Sequence, residues 1–289
     1  MPGSDQAALI AAAQDDAMAL CTLVGIEGSF SRRLGAQIAV GADGATIGSL
    51  SDGCLERQLA SDAAAAREAG SGPLVQRYGR GSPLIDFRLP CGGGLDILID
   101  PSPDRDAMRA AVGSLDARRE TAIDLPLPLD TNMPFLNRRA YVPGLRIVLF
   151  GEGPEFTSFA LLAEAMGATV EAHGRADANG AGLSLGSVPP DLAADPWTAV
   201  LLLFHDHEWE RALLSWALET PAFFIGAQGG GPARDARKAM LRAEGLSEDS
   251  IDRIRSPIGL IGRARDPEVL ALSVLAEIVG DYEKLHPHR

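Results

Sequence analysis

The chain has 289 residues, too long for one ordinary domain and suited to two of roughly 100–150 residues each. Hydrophobic residues make up 46 % and charged residues 22 %, which excludes a disordered chain or a coiled coil. A formal net charge of −13 with no stripe of Lys and Arg repels phosphate backbones and argues against nucleic acid as a partner.

The N-terminal stretch carries Asp5, Asp15 and Asp16 and has neither a basic leader nor a long uncharged run, so no membrane insertion is expected. Three cysteines, Cys21, Cys54 and Cys91, form no CxxC pair, and an odd count does not suit a secreted disulfide framework. Reduced thiols and a cytoplasmic location are the expectation.

Residues 5–20 read as a helix, and CTLVGIE (21–27) then switches to a strand-like apolar run ended by Gly28-Ser29. Strands at 36–40 and 45–50 flank Asp43-Gly44, a hairpin signal. A helix beginning at Cys54 and stopping at Gly70 follows, and then strands at 73–78, 84–89 and 95–100, the last two separated by Pro90-Cys91-Gly92-Gly93-Gly94. Residues 1–115 thus read as a mixed α/β or α+β domain. From 116 to 143 the pattern dissolves around Pro126, Pro128, Pro134 and Pro143, a composition expected of connecting chain.

The region 144–289 opens with LRIVLF (145–150), a continuous apolar run typical of a strand covered on both faces. Strands at 168–172, 199–204 and 222–226 alternate with helical stretches ending at Met166, near 207–219, near 232–244 and near 266–284. The alternation predicts a Rossmann-like, doubly wound parallel sheet.

Several residue groups are candidates for chemistry. Cys54 starts a helix after a glycine, so its sulfur lies at the end of the helix dipole that stabilises negative charge, with Glu56 in the same first turn opposing it. Cys91 precedes Gly92 and Gly93, which leave the neighbouring main chain accessible. The loop with Ser29, Arg32 and Arg33 has the hydroxyls and guanidinium groups to hold an oxyanion. Gly151 and Gly153 stand where a dinucleotide-binding turn keeps its first two glycines, but Phe156 replaces the third small residue, and His173 stands where a ribose-gripping acid is expected. The run His205-Asp206-His207-Glu208 ends a strand, and Asp206 reads as a helix cap rather than part of a metal site.

The ordered progression Gly28-Ser29, Arg32, Gly35-Ala36, Asp43-Gly44, Gly48, Gly53-Cys54-Leu55-Glu56 and Cys91-Gly92-Gly93 resembles the XdhC/CoxI family. The second half is similar to that family's Rossmann half through LFGEG, HDHE, AFFIGA, the stretch from Ala243 to Leu260, and DPEVLALSVLAEI. Departures include Ser31, Gln37, Asp52, His173 and Gly229-Gly230-Gly231. The resemblance implies a non-enzymatic accessory protein that binds molybdenum cofactor (molybdopterin) as cargo, supports its sulfuration with a cysteine desulfurase and delivers it to a molybdenum hydroxylase apoenzyme such as xanthine dehydrogenase. Cys54 would be the sulfur ligand toward molybdenum, with Gly53, Glu56, Cys91 and the neighbouring loops around the pterin. A homodimer is the expected assembly. The competing reading is an NAD(P)-dependent oxidoreductase using the second domain.

Overall fold

A computed structural model describes residues 4–51, 53–83, 92–128, 134–175, 182–286 and 288. The chain forms two compact units, essentially Pro2–Pro143 and Gly144–His286.

The first unit runs α1 (Ser4–Gln14), β1 (Ala19–Glu27), β2 (Gln37–Val40), β3 (Thr46–Gly48), α2 (Cys54–Glu68), β4 (Leu74–Gly79), β5 (Gly94–Asp100), α3 (Arg105–Asp116), β6 (Thr121–Asp124) and β7 (Arg138–Tyr141). Its main sheet has the order β3-β2-β1-β5-β4, with every neighbouring pair antiparallel. Successive strand residues face opposite ways. Cys21 and Leu23 pack beneath Leu55, Leu59 and Ala63 of α2, whereas Leu20 packs with α1 and α3 through Leu9, Ala12 and Met108. Helices on both faces explain why β1 is buried throughout its first six residues instead of alternating. The expected strand at 84–89 lies outside the described residues.

Residues 116–143, expected as connecting chain, carry a two-stranded ribbon in which β6 and β7 pair antiparallel. The ribbon belongs to the first unit. Arg139 is buried, and its Nε donates to Gly35 O at 2.6 Å, while the Tyr141 hydroxyl donates to Gln37 Oε1 at 2.7 Å. An arginine reads from composition as solvated, so its burial against a loop a hundred residues earlier has no local sequence signal. Helix α3 was also not anticipated; Asp104 caps it, accepting from the Asp106 and Ala107 N–H groups at 3.0 and 3.1 Å.

The second unit runs β8 (Arg146–Gly151), α4 (Gly153–Met166), β9 (Thr169–Gly174), β10 (Thr198–Leu203), a short 3-10 turn (His207–Trp209), α5 (Glu210–Glu219), β11 (Phe224–Ala227), α6 (Gly231–Ala243), α7 (Glu248–Ile251), β12 (Ile254–Arg255) and α8 (Pro267–Leu285). All five strands are parallel in the order β12-β11-β10-β8-β9, the doubly wound sheet that the alternation predicts. Phe159 of α4 and Val274 of α8 cover one face; Leu214 of α5 and Leu241 of α6 cover the other. Strand order reverses between β8 and β10, so the connections from these strands diverge and leave a crevice at their carboxyl ends.

Below that crevice Glu210 and Arg237 form a buried pair, with Nε to Oε2 at 2.7 Å and Nη2 to Oε1 at 2.9 Å. Arg237 also donates to Gln228 O and to Ser256 Oγ, which ties α5 and α6 to the ends of β11 and β12. Removing one member of such a pair strands the other charge in a dry interior. Arg237→Met is therefore expected to lower unfolding stability by about 3–5 kcal/mol, to be read from urea denaturation midpoints.

Candidate functional site

In the first unit the end of β1, the start of β5 and the segment after β3 meet at one edge of the sheet. Glu27 pairs with Gly94 across β1 and β5. Gly28, with a left-handed φ of 86°, packs against the segment before β5, where a β-carbon on it would stand 3.5 Å from Gly93 Cα. Arg32 Nη2 donates to Ser49 Oγ at 3.4 Å, which joins the loop after β1 to the loop before α2. Ser29 and Arg32 are exposed and Arg33 is half-buried. Gly92 is exposed, and Cys91 lies outside the described residues.

Glu56 shapes this edge. Its Oε1 accepts from the N–H groups of Leu50 at 3.0 Å and Ser51 at 2.6 Å, and its Oε2 accepts from the N–H of Gly53 at 2.7 Å. Burial alone would push this carboxyl up, but the N–H groups of Ser51, Gly53 and Leu50 outweigh it and hold it below the ordinary carboxylate value. The side chain is consumed by the loop, so it positions the site and is not available to a ligand. Gly53 has φ of 96°, a left-handed conformation that admits glycine without a Cβ penalty and turns the chain into α2.

Cys54 is exposed as the first residue of α2, and Arg57, one turn later, donates to its Sγ at 3.2 Å. Sequence reasoning missed Arg57, although an i, i+3 pair on a helix could have revealed it. Cys21 differs in every respect: it is fully buried, and burial pushes its thiol up to about 12. One sulfur of the two described is therefore presented beside a guanidinium, and the other is packing.

The second candidate edge lies at the carboxyl ends of the parallel strands. Gly151 lies at closest approach to β10, where an added Cβ would fall 2.5 Å from Leu203 O. Gly153 starts α4 with φ of 83°, and Pro154 occupies the first turn, where its missing N–H costs nothing. Both glycines are thus required by chain geometry alone. Glu152 pairs with Arg175 Nη2 at 2.9 Å, and Glu155 sits in the first turn of α4, so carboxylates hold the place where a dinucleotide turn seats its phosphates. Arg175 lies over the Trp209 ring at 4.6 Å, and its Nη2 is 3.5 Å from Asp206. His173 stacks on Phe150 and reaches Glu171 at 3.1 Å.

Asp206 accepts from the Glu208 N–H at 3.1 Å and caps the 3-10 turn as expected, while His207 Nδ1 lies 3.1 Å from Glu210 Oε1. Among the described residues no three His, Cys, Asp or Glu side chains are grouped to hold a metal ion. No helix among them is long and apolar enough to cross a membrane.

Residues 11–79 match the XdhC and CoxI family, and residues 147–278 match the XdhC Rossmann domain. The chain belongs to the XdhC/CoxI family. It is 33 % identical over 270 residues to the molybdenum cofactor insertion chaperone PaoD of Escherichia coli, covering 90 % of this chain and 81 % of that protein. It is 26 % identical over 267 residues to the E. coli uncharacterized protein YqeB, which spans 92 % of this chain but only 44 % of YqeB. The fold is similar to a crystal structure titled a xanthine dehydrogenase from Bacillus halodurans, with a TM-score of 0.75 at 20 % identity over 98 % of this chain and 97 % of that one.

A carboxylate held by three N–H groups stabilises the loop above the carboxyl's ordinary pKa, and the contribution fades as pH falls through the lowered folded value. Glu56→Gln is expected to cost about 1–3 kcal/mol at neutral pH. The difference from the parent should shrink as pH falls below about 4.5 in denaturation series at stepped pH, because the carboxylate of the unfolded chain then takes up a proton while the folded one, held lower, stays ionised.

Proposed function

We propose that this protein binds molybdenum cofactor at the glycine-rich edge of its first unit and delivers it to a molybdenum hydroxylase apoenzyme such as xanthine dehydrogenase. The observation that carries the reading is the exposed Cys54 sulfur beside the Arg57 guanidinium, on a loop immobilised by Glu56. A soft sulfur suits molybdenum and its sulfido ligand, and guanidinium groups at Arg32 and Arg57 suit the pterin phosphate. These local cations counter a chain whose net charge of −13 would otherwise repel an anionic cargo. The insertion-chaperone description of PaoD supports the same reading. Sulfuration by a cysteine desulfurase docked at this edge, action as a homodimer and a cytoplasmic setting complete the proposal. Of the site residues, Cys54, Gly53, Ser29, Arg32 and Arg33 are assigned to contact with the cargo, Gly92 and Gly93 to its border, and Glu56 to fixing the loop.

Cys54→Ala, expressed with an intact cofactor pathway, should lose most bound molybdenum and most activation of a sulfur-dependent client, while Cys21→Ala retains both. Equal retention by Cys54→Ala and the parent overturns the sulfur-ligand role. The oxidoreductase reading is the weaker one, since Glu152, Glu155 and His173 occupy the phosphate and ribose positions of a dinucleotide. NADH and NADPH titrations are expected to show no saturable binding tighter than about 1 mM.

A further inference from the structure

Four buried side-chain atoms have no hydrogen-bond partner among the described residues, and three of them lie at the carboxyl edge of the parallel sheet: Glu155 Oε2, Arg175 Nε and Gln228 Oε1. The two acceptors belong to one side of the sheet. Gln228 N–H donates to Leu202 O at 2.9 Å, which continues the β10–β11 ladder and sets Gln228 beside Leu203. Leu203 faces the core under α4 and α8, and residues paired across strands share a face. His205, two residues beyond Leu203, lies on that face too, with Nε2 3.7 Å from Glu155 Oε2. Glu155 is on α4 itself. Two unsatisfied acceptors from different elements therefore lie on one face at the carboxyl edge of the sheet, the Glu155 acceptor beside an exposed imidazole, close to where strand order reverses.

Buried acceptors without donors are costly and signal a missing partner. For Glu155 and Gln228 that partner has to bring hydrogen-bond donors, and for Arg175 Nε an acceptor. A pyrophosphate brings only more acceptors, and it would meet the carboxylates of Glu152 and Glu155. We infer that this edge of the second unit binds the 2-amino-4-oxopyrimidine edge shared by pterins and guanine, with Glu155 accepting from the ring N–H and 2-amino group and Gln228 Oε1 accepting a further N–H. Such a pair of parallel donors matches the two oxygens of one carboxylate. Arg175 Nε supplies a donor on the opposite lip, held over Trp209. The inference deepens the cargo reading, on which it rests for a pterin as the physiological ligand: it assigns a pterin contact to the unit that carries no candidate sulfur.

The test uses the full chain purified without cofactor. Pterin is compared with lumazine, which has an oxo group in place of the 2-amino group, and guanosine with inosine, which lacks that amino group. Pterin is expected to bind at least tenfold more tightly than lumazine, and both Glu155→Gln and Gln228→Leu should erase that preference without moving the melting temperature. Guanosine binding more tightly than pterin, with the same dependence on Glu155, supports the recognised edge but assigns it to a nucleotide. Equal binding of pterin and lumazine, no binding of either, or a preference untouched in both variants overturns the site. Molybdenum retained after expression with the cofactor pathway reports the cargo reading separately. Retention without pterin preference overturns this site alone, and preference without retention overturns the cargo reading alone.

Discussion

A strand covered on both faces has little room for charged chemistry except at its ends, and both units are built around such strands. In the first unit β1 lies between α2 and the α1/α3 pair; in the second, β8 and β10 lie between α4/α8 and α5/α6. The layers leave little room for charged side chains along the strands. Exposed sulfur, guanidinium groups and imidazoles consequently gather where strands become loops, and each unit presents one such edge.

What distinguishes the two edges is electrostatic. The first places Arg57 beside Cys54 and Arg32 against Ser49 of the adjoining loop, and consumes the Glu56 carboxylate in loop N–H groups. The second keeps Glu152 and Glu155 at the start of α4, where a helix dipole favours negative charge. An anion is welcome at the first and opposed at the second. Hydrogen-bond donors are welcome at the second, where acceptors stand unpaired.

Two carboxylates illustrate how burial reassigns a residue's task. Glu56, a neighbour of Cys54 in the sequence, looks like part of a ligand site, yet three N–H bonds make it the support of that site. Glu210, one helix turn beyond His207, is fully engaged with Arg237 and at the same time orients the imidazole. In each case a charge that costs energy to bury is retained because it fixes the geometry of an edge.

Apolar runs and the glycines that punctuate them were enough to determine, from the sequence alone, an α/β organisation, the strands β1 to β5 and β8 to β11, and the placement of Cys54 at a helix start. These signals are local, since periodicity and turn chemistry depend on residues a few positions apart. The antiparallel sense of the first sheet, the β6–β7 ribbon anchored by Arg139 and the reversal between β8 and β10 were decided only by tertiary structure. So were the clamp at Glu56 and the unpaired acceptors of Glu155 and Gln228. Each depends on partners from segments distant in sequence, or on main-chain N–H groups. Those groups are the same in every residue but proline, so no side-chain pattern announces which of them a carboxylate will meet.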